Sequence, residues 1–228
     1  MRRIVLALIF SVALSTTGCV STPQRTGDVA AQSSGVIPTD SLEDWVTYGD
    51  DLAPFTVKSV REGEPDPEER ERKEGTISRE MTISIDEPLW SRPTASGEVR
   101  LPSELTTGAG FYVFHGEDRQ RAIVEGRPWL EQDEKYLGIF NFMDPELKNQ
   151  MPDPGKGDPV WGPIVWMHMD DEGRVDEVFN PDEPSTKELV GKTAKEVAAV
   201  LQETEPDPKA SRYMDDDPAV RYQRAYGG

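Results

Sequence analysis

Residues 77–85 alternate between apolar and polar side chains along most of their length. One side of this segment carries Ile77, Met81, Ile83 and Ile85, and Arg79 is the one charged residue among them. A period of two is typical of a strand whose one face packs on a core while the other meets water. The segment therefore predicts a half-buried strand, with Arg79 as an exception on its apolar face.

Six further short apolar segments have the length of strands, and glycine, proline, asparagine or aspartate bounds each of them. They are residues 55–60, 110–114, 121–125, 136–142, 163–169 and 174–179. Gly173 predicts a hairpin turn between the last two, because glycine readily adopts the positive φ that tight turns require. Strands at short spacing without intervening helices favour a mainly β fold, either a small antiparallel barrel or a sandwich.

Two stretches within this β region are predicted to be loops. Residues 62–74 are a run of charged residues and prolines, which we expect to form a solvated excursion. Residues 143–162 carry four prolines and three glycines and are expected to be the longest loop of the domain.

One C-terminal helix is predicted after Thr193. Thr193 and Glu196 have the spacing of a capping box, and Ser185 and Glu188 have the same spacing just upstream. The apolar face of the helix consists of Val197, Val200 and Leu201. Pro206 marks its end, because proline cannot continue a helix.

These patterns divide the chain into four parts. We expect a signal peptide at residues 1–18, a flexible tether rich in Ser, Thr, Gly and Pro at 19–41, a β-barrel domain with its C-terminal helix at 42–204, and an acidic disordered tail at 205–228. The domain's first anchor is predicted as a short helix or strand carrying Leu42, Trp45, Val46 and Tyr48. The tail's tyrosines, Tyr213, Tyr222 and Tyr226, offer an alternative in which they dock it on the domain.

Cys19 is the only cysteine, and it lies where a bacterial lipoprotein is cleaved and acylated. Arg2 and Arg3 precede a short apolar run, and Ser-Thr-Thr-Gly then leads to the thiol, with Gly18 directly before it. This order is typical of a secretory signal, and the apolar run is about half as long as a membrane span. Thr16 stands where a leucine is commoner, so an incidental cysteine after an ordinary signal is the alternative. Acylation of Cys19 leaves no disulfide to stabilise the domain.

Composition limits the partners. Cleavage before Cys19 removes two arginines and no acid, so the formal charge changes from −18 to −20. Such a chain lacks the basic surface that nucleic acids or anionic headgroups require, so we expect no nucleic-acid partner and membrane contact only through the lipid. The predicted location is the outer face of the cytoplasmic membrane.

Two segments carry a resemblance. Trp45-Val46 with Asp50-Asp51, and the run from Met81 through Leu89-Trp90-Ser91-Arg92-Pro93, resemble a group of uncharacterised exported lipoproteins of actinobacteria. The similarity extends over residues 45–179 and is most specific in the Leu-Trp-Ser-Arg-Pro segment. It implies a small OB-like β-barrel and implies no reaction, because the group has no established catalytic residues.

Few residues suit catalysis or metal binding. There are two histidines, and we interpret His115 as an exposed turn residue. Met167, His168 and Met169 suggest copper, since thioether and imidazole are copper ligands, but a strand would place the sulfurs and the imidazole on opposite faces. Two core methionines and a surface histidine are the preferred interpretation, and we expect no metal, cofactor or catalytic site.

Three tryptophans are the remaining candidates. Trp129, Trp161 and Trp166, near Glu131, Asp133 and Asp158, are possible ligand-facing residues that offer a platform for sugar rings, although packing in the core is the alternative. The sequence thus predicts an extracytoplasmic binding or cell-envelope scaffold module, with an envelope protein or polysaccharide as its ligand. The alternative function is an envelope carbohydrate hydrolase that uses paired carboxylates near these tryptophans.

The Cys19 motif generates the first test. Cys19→Ala should abolish acylation and block cleavage by the lipoprotein peptidase, because the substitution removes the acylated thiol. Membrane fractionation and intact mass of the expressed protein measure both effects, with Ser21→Ala as the control. A Cys19→Ala protein that is still fully processed and membrane-bound contradicts lipid anchoring.

Overall fold

The computed structural model describes residues 28–31, 37–92, 100–124, 127–142 and 161–227. The strands in these ranges are β1 (Asp28–Ala31), β2 (Asp51–Glu62), β3 (Glu74–Ile85), β4 (Trp90–Ser91), β5 (Glu104–His115), β6 (Asp118–Val124), β7 (Lys135–Phe142), β8 (Trp161–Met169) and β9 (Val175–Glu177). The helices are α1 (Leu42–Tyr48), α2 (Pro67–Arg72), α3 (Pro184–Lys187), α4 (Ala194–Glu203) and α5 (Pro218–Tyr226), with a 3-10 turn at Ser211–Tyr213.

The strands form one sheet in the order β1-β6-β5-β3-β2-β7-β8-β9, and β4 pairs with the start of β2. All neighbours are antiparallel except β1 and β6, which are parallel. This confirms the predicted mainly β, antiparallel fold, although the described residues contain five helices where one C-terminal helix was predicted. Within the described ranges the sheet is not closed, so the finer expectation of a barrel or OB-like fold stays a prediction.

The sheet carries a hydrophobic core on each face. On one face α1 and α4 pack on the sheet; this first core includes Trp45, Leu137, Ile139, Met167 and Val197. On the other face the sheet curls until β5 approaches β8; this second core includes Phe55, Met81, Ile83, Tyr136 and Phe140. Burial on both faces explains why β7 is an almost continuous apolar run, since neither set of its side chains meets water.

A β-bulge lies opposite Arg79. Ser78 pairs with Phe111 and Glu80 pairs with Gly108, so β5 places two residues, Ala109 and Gly110, against one residue of β3. Gly110 has a φ of 87°, a conformation that glycine adopts without strain. The extra residue reverses the alternation of β5, which turns Tyr112 toward the same face as Arg79.

The predicted strand over residues 77–85 is confirmed. Arg79, the charged residue on its apolar side, lies on the face that packs against the core. Arg79 is only 5% exposed. Residues 62–74 are a solvated excursion as predicted, although they contain the short exposed helix α2. The predicted hairpin turn between β8 and β9 is confirmed, with Gly173 at a φ of 74°.

The second half of the chain differs from the sequence prediction in three respects. Helix α4 has the predicted capping box of Thr193 and Glu196, but Ser185 caps no helix, because Pro184 begins α3 and Glu183 caps it instead. The segment from 161 to 162, expected in the long loop, begins β8, and residues 143–160 lie outside the described ranges.

The predicted disordered tail is the third difference. Residues 205–227 contain the 3-10 turn and α5, and Arg221 of α5 is completely buried. Its guanidinium donates to main-chain carbonyls, including that of Thr47 in α1. Polar contacts rather than apolar area hold this segment, which is why its composition predicted disorder.

Truncation of the β3 core face should destabilise the fold. Ile83 is fully buried in the second core, so Ile83→Ala should lower the free energy of unfolding by about 2–5 kcal/mol. Thr82 points to the other face, where its hydroxyl approaches that of Thr106, so Thr82→Ala should cost well under about 1 kcal/mol. Urea unfolding measures both; equal small losses would contradict the assigned register.

Candidate binding surface

Residues 127–131, which we call the crossing segment, run from the β6 side of the sheet to β7 across the second core. Leu130 is 1% exposed and packs into that core. Three side chains from three strands bind the segment's main chain: Arg79 Nη2 donates to Leu130 O at 2.8 Å, Tyr136 Oη donates to Trp129 O at 3.0 Å, and Trp166 Nε1 donates to Pro128 O at 2.7 Å. The crossing segment thereby joins β3 to β7 and β8.

Arg79 is the centre of this arrangement. Besides Leu130 O, its guanidinium donates to Ala109 O of the bulge at 3.0 Å. No carboxylate of the described residues lies within ion-pair distance of it. Burial lowers the pKa of Arg79, and the more distant charges of Glu131 and Glu62 partly offset this effect.

An alternating stack of arginines and aromatic rings extends outward from Arg79. Its guanidinium lies 4.1 Å from the ring centre of Trp129 and 5.7 Å from that of Tyr112. Arg119 lies 4.2 Å from the Tyr112 ring, and Arg121 lies 5.4 Å from the Trp129 ring. Cations over aromatic faces attract the ring's negative face, and the stack therefore orders its outer members as well as its buried centre.

Two ion pairs flank the stack. Arg119 contacts Glu62 at 2.8 Å, and Arg121 contacts Glu131 at 2.9 Å. The side chains of Arg119 and Arg121 are 40% and 33% exposed, so water and solutes reach them. We call these residues the arginine–aromatic cluster: Glu62, Arg79, Tyr112, Arg119, Arg121, Trp129 and Glu131. Three arginines against two carboxylates give it a net positive charge within a chain of formal charge −18.

Two buried donors of the cluster have no hydrogen-bond partner among the described residues. They are Nε of Arg79 and Nε1 of Trp129. Buried polar groups are normally paired, so each such donor calls for a physical account. The Arg79 guanidinium lies over the face of the Trp129 ring, and the electrostatic attraction of that face replaces part of the missing hydrogen bond of Arg79 Nε. Nothing in the structure accounts for Trp129 Nε1.

The structure places all three candidate tryptophans around the second core. Trp161 and Trp166 pack against it and are half-buried, and Trp161 lies edge-on to Phe142 at 5.6 Å. The indole N–H of Trp166 donates to the main chain of the crossing segment, at Pro128 O. Trp129 belongs to the arginine–aromatic cluster. Of the acids expected beside them, Glu131 lies in the cluster, Asp133 is exposed in a turn, and Asp158 lies outside the described ranges.

The two histidines lie on different strands. His115 ends β5, exposed and 4.0 Å from Glu74. His168 of β8 bridges two carboxylates, with Nδ1 2.7 Å from Asp176 and Nε2 3.5 Å from Glu134. Met167 and Met169 are buried in the first core on the opposite face. The predicted separation of the sulfurs from the imidazole is therefore confirmed.

A second polar network joins the segments that carried the resemblance. β4 pairs with β2 so that Ser91 faces Asp51, and Ser91 donates to the Asp51 carboxylate. Burial raises the pKa of Asp51, although this hydrogen bond opposes the shift. Arg92 is ion-paired with Asp50, which also accepts from the main-chain N–H of Phe142 at 2.8 Å.

The same network holds the C-terminal segment. Arg92 and Arg221 both donate to Met214 O. Burial, followed by the charge of Arg92, lowers the pKa of Arg221 to about 10. Tyr222 packs edge-on against the buried Tyr48 with ring centres 6.1 Å apart, and Tyr226 donates to the carboxylate of the buried Asp207. Tyrosine docking, the alternative to a disordered tail, is thus the observed arrangement.

Gly18 and Cys19 lie outside the described ranges, so the lipidation site stays a prediction. In the part of the chain that the structure describes, no set of three or more His, Cys, Asp or Glu side chains is arranged to hold a metal ion. No helix of that part is long and apolar enough to cross a membrane.

Sequence reasoning missed the arginine–aromatic cluster. Its signal was Arg79, a charge on the apolar side of an otherwise regular strand. The partners of Arg79 could not be inferred, because the β5 bulge changes which residues of that strand share its face.

A comparison of this chain with protein-family models, with curated proteins and with solved structures finds no match in any of the three.

His168 should make stability depend on pH. Burial lowers its pKa, but hydrogen bonds and charges of Asp176 and Glu134 outweigh burial and raise the pKa above its ordinary value. A raised native pKa stabilises the fold fully below the unfolded pKa of about 6.5, and the gain fades as pH rises through the native pKa.

The substitution His168→Gln should therefore lower the free energy of unfolding more at about pH 5.5 than at about pH 9. Urea unfolding of both proteins at the two pH values measures the difference, and His115→Gln is the exposed control. A cost that is independent of pH would contradict the assigned ion pairs.

Proposed function

We propose that the protein is a lipoprotein anchored to the outer face of the cytoplasmic membrane, and that its domain is a binding or scaffold module of the cell envelope. The anchoring rests on the Cys19 motif and its predicted acylation. The binding role rests on one observation, the arginine–aromatic cluster on the curled face of the sheet. The resemblance to actinobacterial exported lipoproteins agrees with this proposal.

The chemistry of the cluster favours an envelope polysaccharide that carries carboxylate or phosphate groups. Arginine forms two parallel hydrogen bonds to such groups, and aromatic faces stack on sugar rings. The ion pairs of Arg119 and Arg121 are half-exposed, and exposed pairs are worth about 0–1 kcal/mol, so a ligand anion can replace Glu62 or Glu131 at small cost.

The alternative proposal is carbohydrate hydrolysis by paired carboxylates near Trp129, Trp161 and Trp166. That chemistry needs one carboxyl group poised to donate a proton and a second one across the sugar. Glu131 is the acid beside Trp129, and its carboxylate is engaged in an ion pair with Arg121. Binding is therefore the preferred function.

Binding of the detergent-solubilised full chain to isolated acidic envelope polysaccharide tests the proposal. Arg119→Gln should weaken binding about tenfold, because it removes a charge-assisted hydrogen bond worth about 1.5 kcal/mol. Arg61→Gln is the matched control, since Arg61 also forms a surface ion pair, with Glu80 at 2.7 Å, away from the cluster.

Three outcomes would contradict the proposal. Equal losses in both variants would show nonspecific charge attraction. Absence of binding, together with Arg119-dependent capture of an envelope protein, would make the partner a protein. Release of sugar products that Glu131→Gln abolishes would favour the hydrolase.

A further inference from the structure

The expected flexible tether contributes a strand to the sheet. Asp28–Ala31 forms β1, which pairs in parallel with the edge of β6, and Asp28 lies opposite Arg121. An uncovered β6 would present a row of unpaired N–H and C=O groups, which readily accept an extended chain. The occupant of this edge is the segment that leads from Cys19 into the domain.

We propose that β1 docking on the β6 edge is a spacer device that sets how far the domain stands from the membrane. This inference rests on the proposed acylation of Cys19. With β1 docked, eight residues lie between Cys19 and Asp28, and these nine residue steps span at most about 30 Å when fully extended. The next fixed point after β1 is Thr39, whose carbonyl accepts from Trp45 Nε1 at 2.9 Å. With β1 released, nineteen residues lie between Cys19 and Thr39, and these twenty residue steps reach at most about 70 Å.

The parallel direction of β1 also orients the domain. Because β1 and β6 run the same way, the chain arriving from Cys19 enters the sheet at Asp28, opposite Arg121 in the middle of β6, on the side that leads back to the β5–β6 turn. Arg121 lies beside Asp28, and Arg119 lies between Arg121 and this turn, opposite Phe114 of β5. Docking therefore holds the arginine–aromatic cluster on the membrane-proximal side, and its ligand would be a component close to the bilayer surface.

The contact is built to be weak. Only four residues of β1 pair with β6, and parallel pairs are slightly less stable per residue than antiparallel pairs. Short edge strands are the part of a sheet that opens most readily. The shorter and the longer tether thus correspond to two states of one molecule, with β1 docked and with β1 released. A partner that binds the β6 edge in place of β1 would favour the longer tether.

A disulfide tests the register without any membrane. Ala30 lies opposite Ile123, so Ala30→Cys with Ile123→Cys should form a disulfide spontaneously in the purified full chain. Ala30→Cys with Gln120→Cys is the matched control, because Gln120 is three residues, about 10 Å, along the strand. Failure of the first pair, or equal oxidation of both, would overturn β1 docking.

Energy transfer then tests the spacing. A dye on Glu117→Cys and acceptor headgroups in neutral phosphatidylcholine vesicles report the distance of the β5–β6 turn from the bilayer. The wild-type tether and the disulfide-locked tether should give the same transfer efficiency. Val29→Pro with Ala30→Pro should lower it, because proline cannot donate to the strand ladder.

Arg25→Pro with Thr26→Pro is the control for tether stiffness and should leave the transfer unchanged. The spacer proposal would be overturned if the wild-type protein had the same transfer efficiency as the Val29/Ala30 proline variant and the disulfide-locked tether had a higher one. Failure of acylation would appear separately, as a missing lipid mass on Cys19 with the disulfide still formed. That result would refute the anchoring and not the strand.

Discussion

The fold depends on a buried arginine that donates to main-chain carbonyls of two different parts of the chain. Arg79 binds Ala109 O at the β5 bulge and Leu130 O in the crossing segment. The crossing segment has no partner strand, so its carbonyls would otherwise be buried without hydrogen bonds, which costs about 1–3 kcal/mol each. Because Arg79 supplies a hydrogen bond to Leu130 O, the side chain of Leu130 can be buried in the second core without leaving that carbonyl unpaired.

The same solution recurs at the C-terminal end of the chain. Arg92 donates to Gly49 O and Met214 O, and Arg221 donates to Thr47 O and to carbonyls of the 3-10 region. In each case a guanidinium with several donors in a fixed plane joins segments distant in sequence. An apolar fraction of 36% and a single cysteine leave the chain few other means of fastening such segments. The arginines thus fasten distant segments in the way that disulfides do in many secreted domains.

The sequence was informative where a pattern is local. Alternation in β3, the capping box at Thr193 and the glycine at position 173 each predicted the observed element, because neighbouring residues decide those structures. Arg79 and Arg221 show where such reasoning ends. Whether a charged residue is buried depends on carbonyls that lie far away in the sequence, at Leu130 and Thr47. Composition therefore described residues 205–228 as disordered and gave no sign of the cluster.

The binding function proposed for the domain depends on the exposed residues of the arginine–aromatic cluster, whose buried centre is Arg79. Inside, Arg79 and Trp129 order the crossing segment, and outside, Arg119 and Arg121 present half-exposed charges beside aromatic rings. A surface whose outer members are ordered by a buried centre loses little conformational freedom on binding, which favours affinity. The tether strand on β6 would then decide how close that surface lies to the bilayer.

The most direct measurement is the free energy of unfolding of Arg79→Met, together with hydrogen exchange at Trp129 and Leu130. Methionine fills a similar space without donors, so the two carbonyls lose their partners. We expect a loss of about 2–5 kcal/mol and faster exchange across the crossing segment. Arg61→Met, at an exposed ion pair, should cost under about 0.5 kcal/mol. Equal small losses with unchanged exchange would contradict the central role of Arg79.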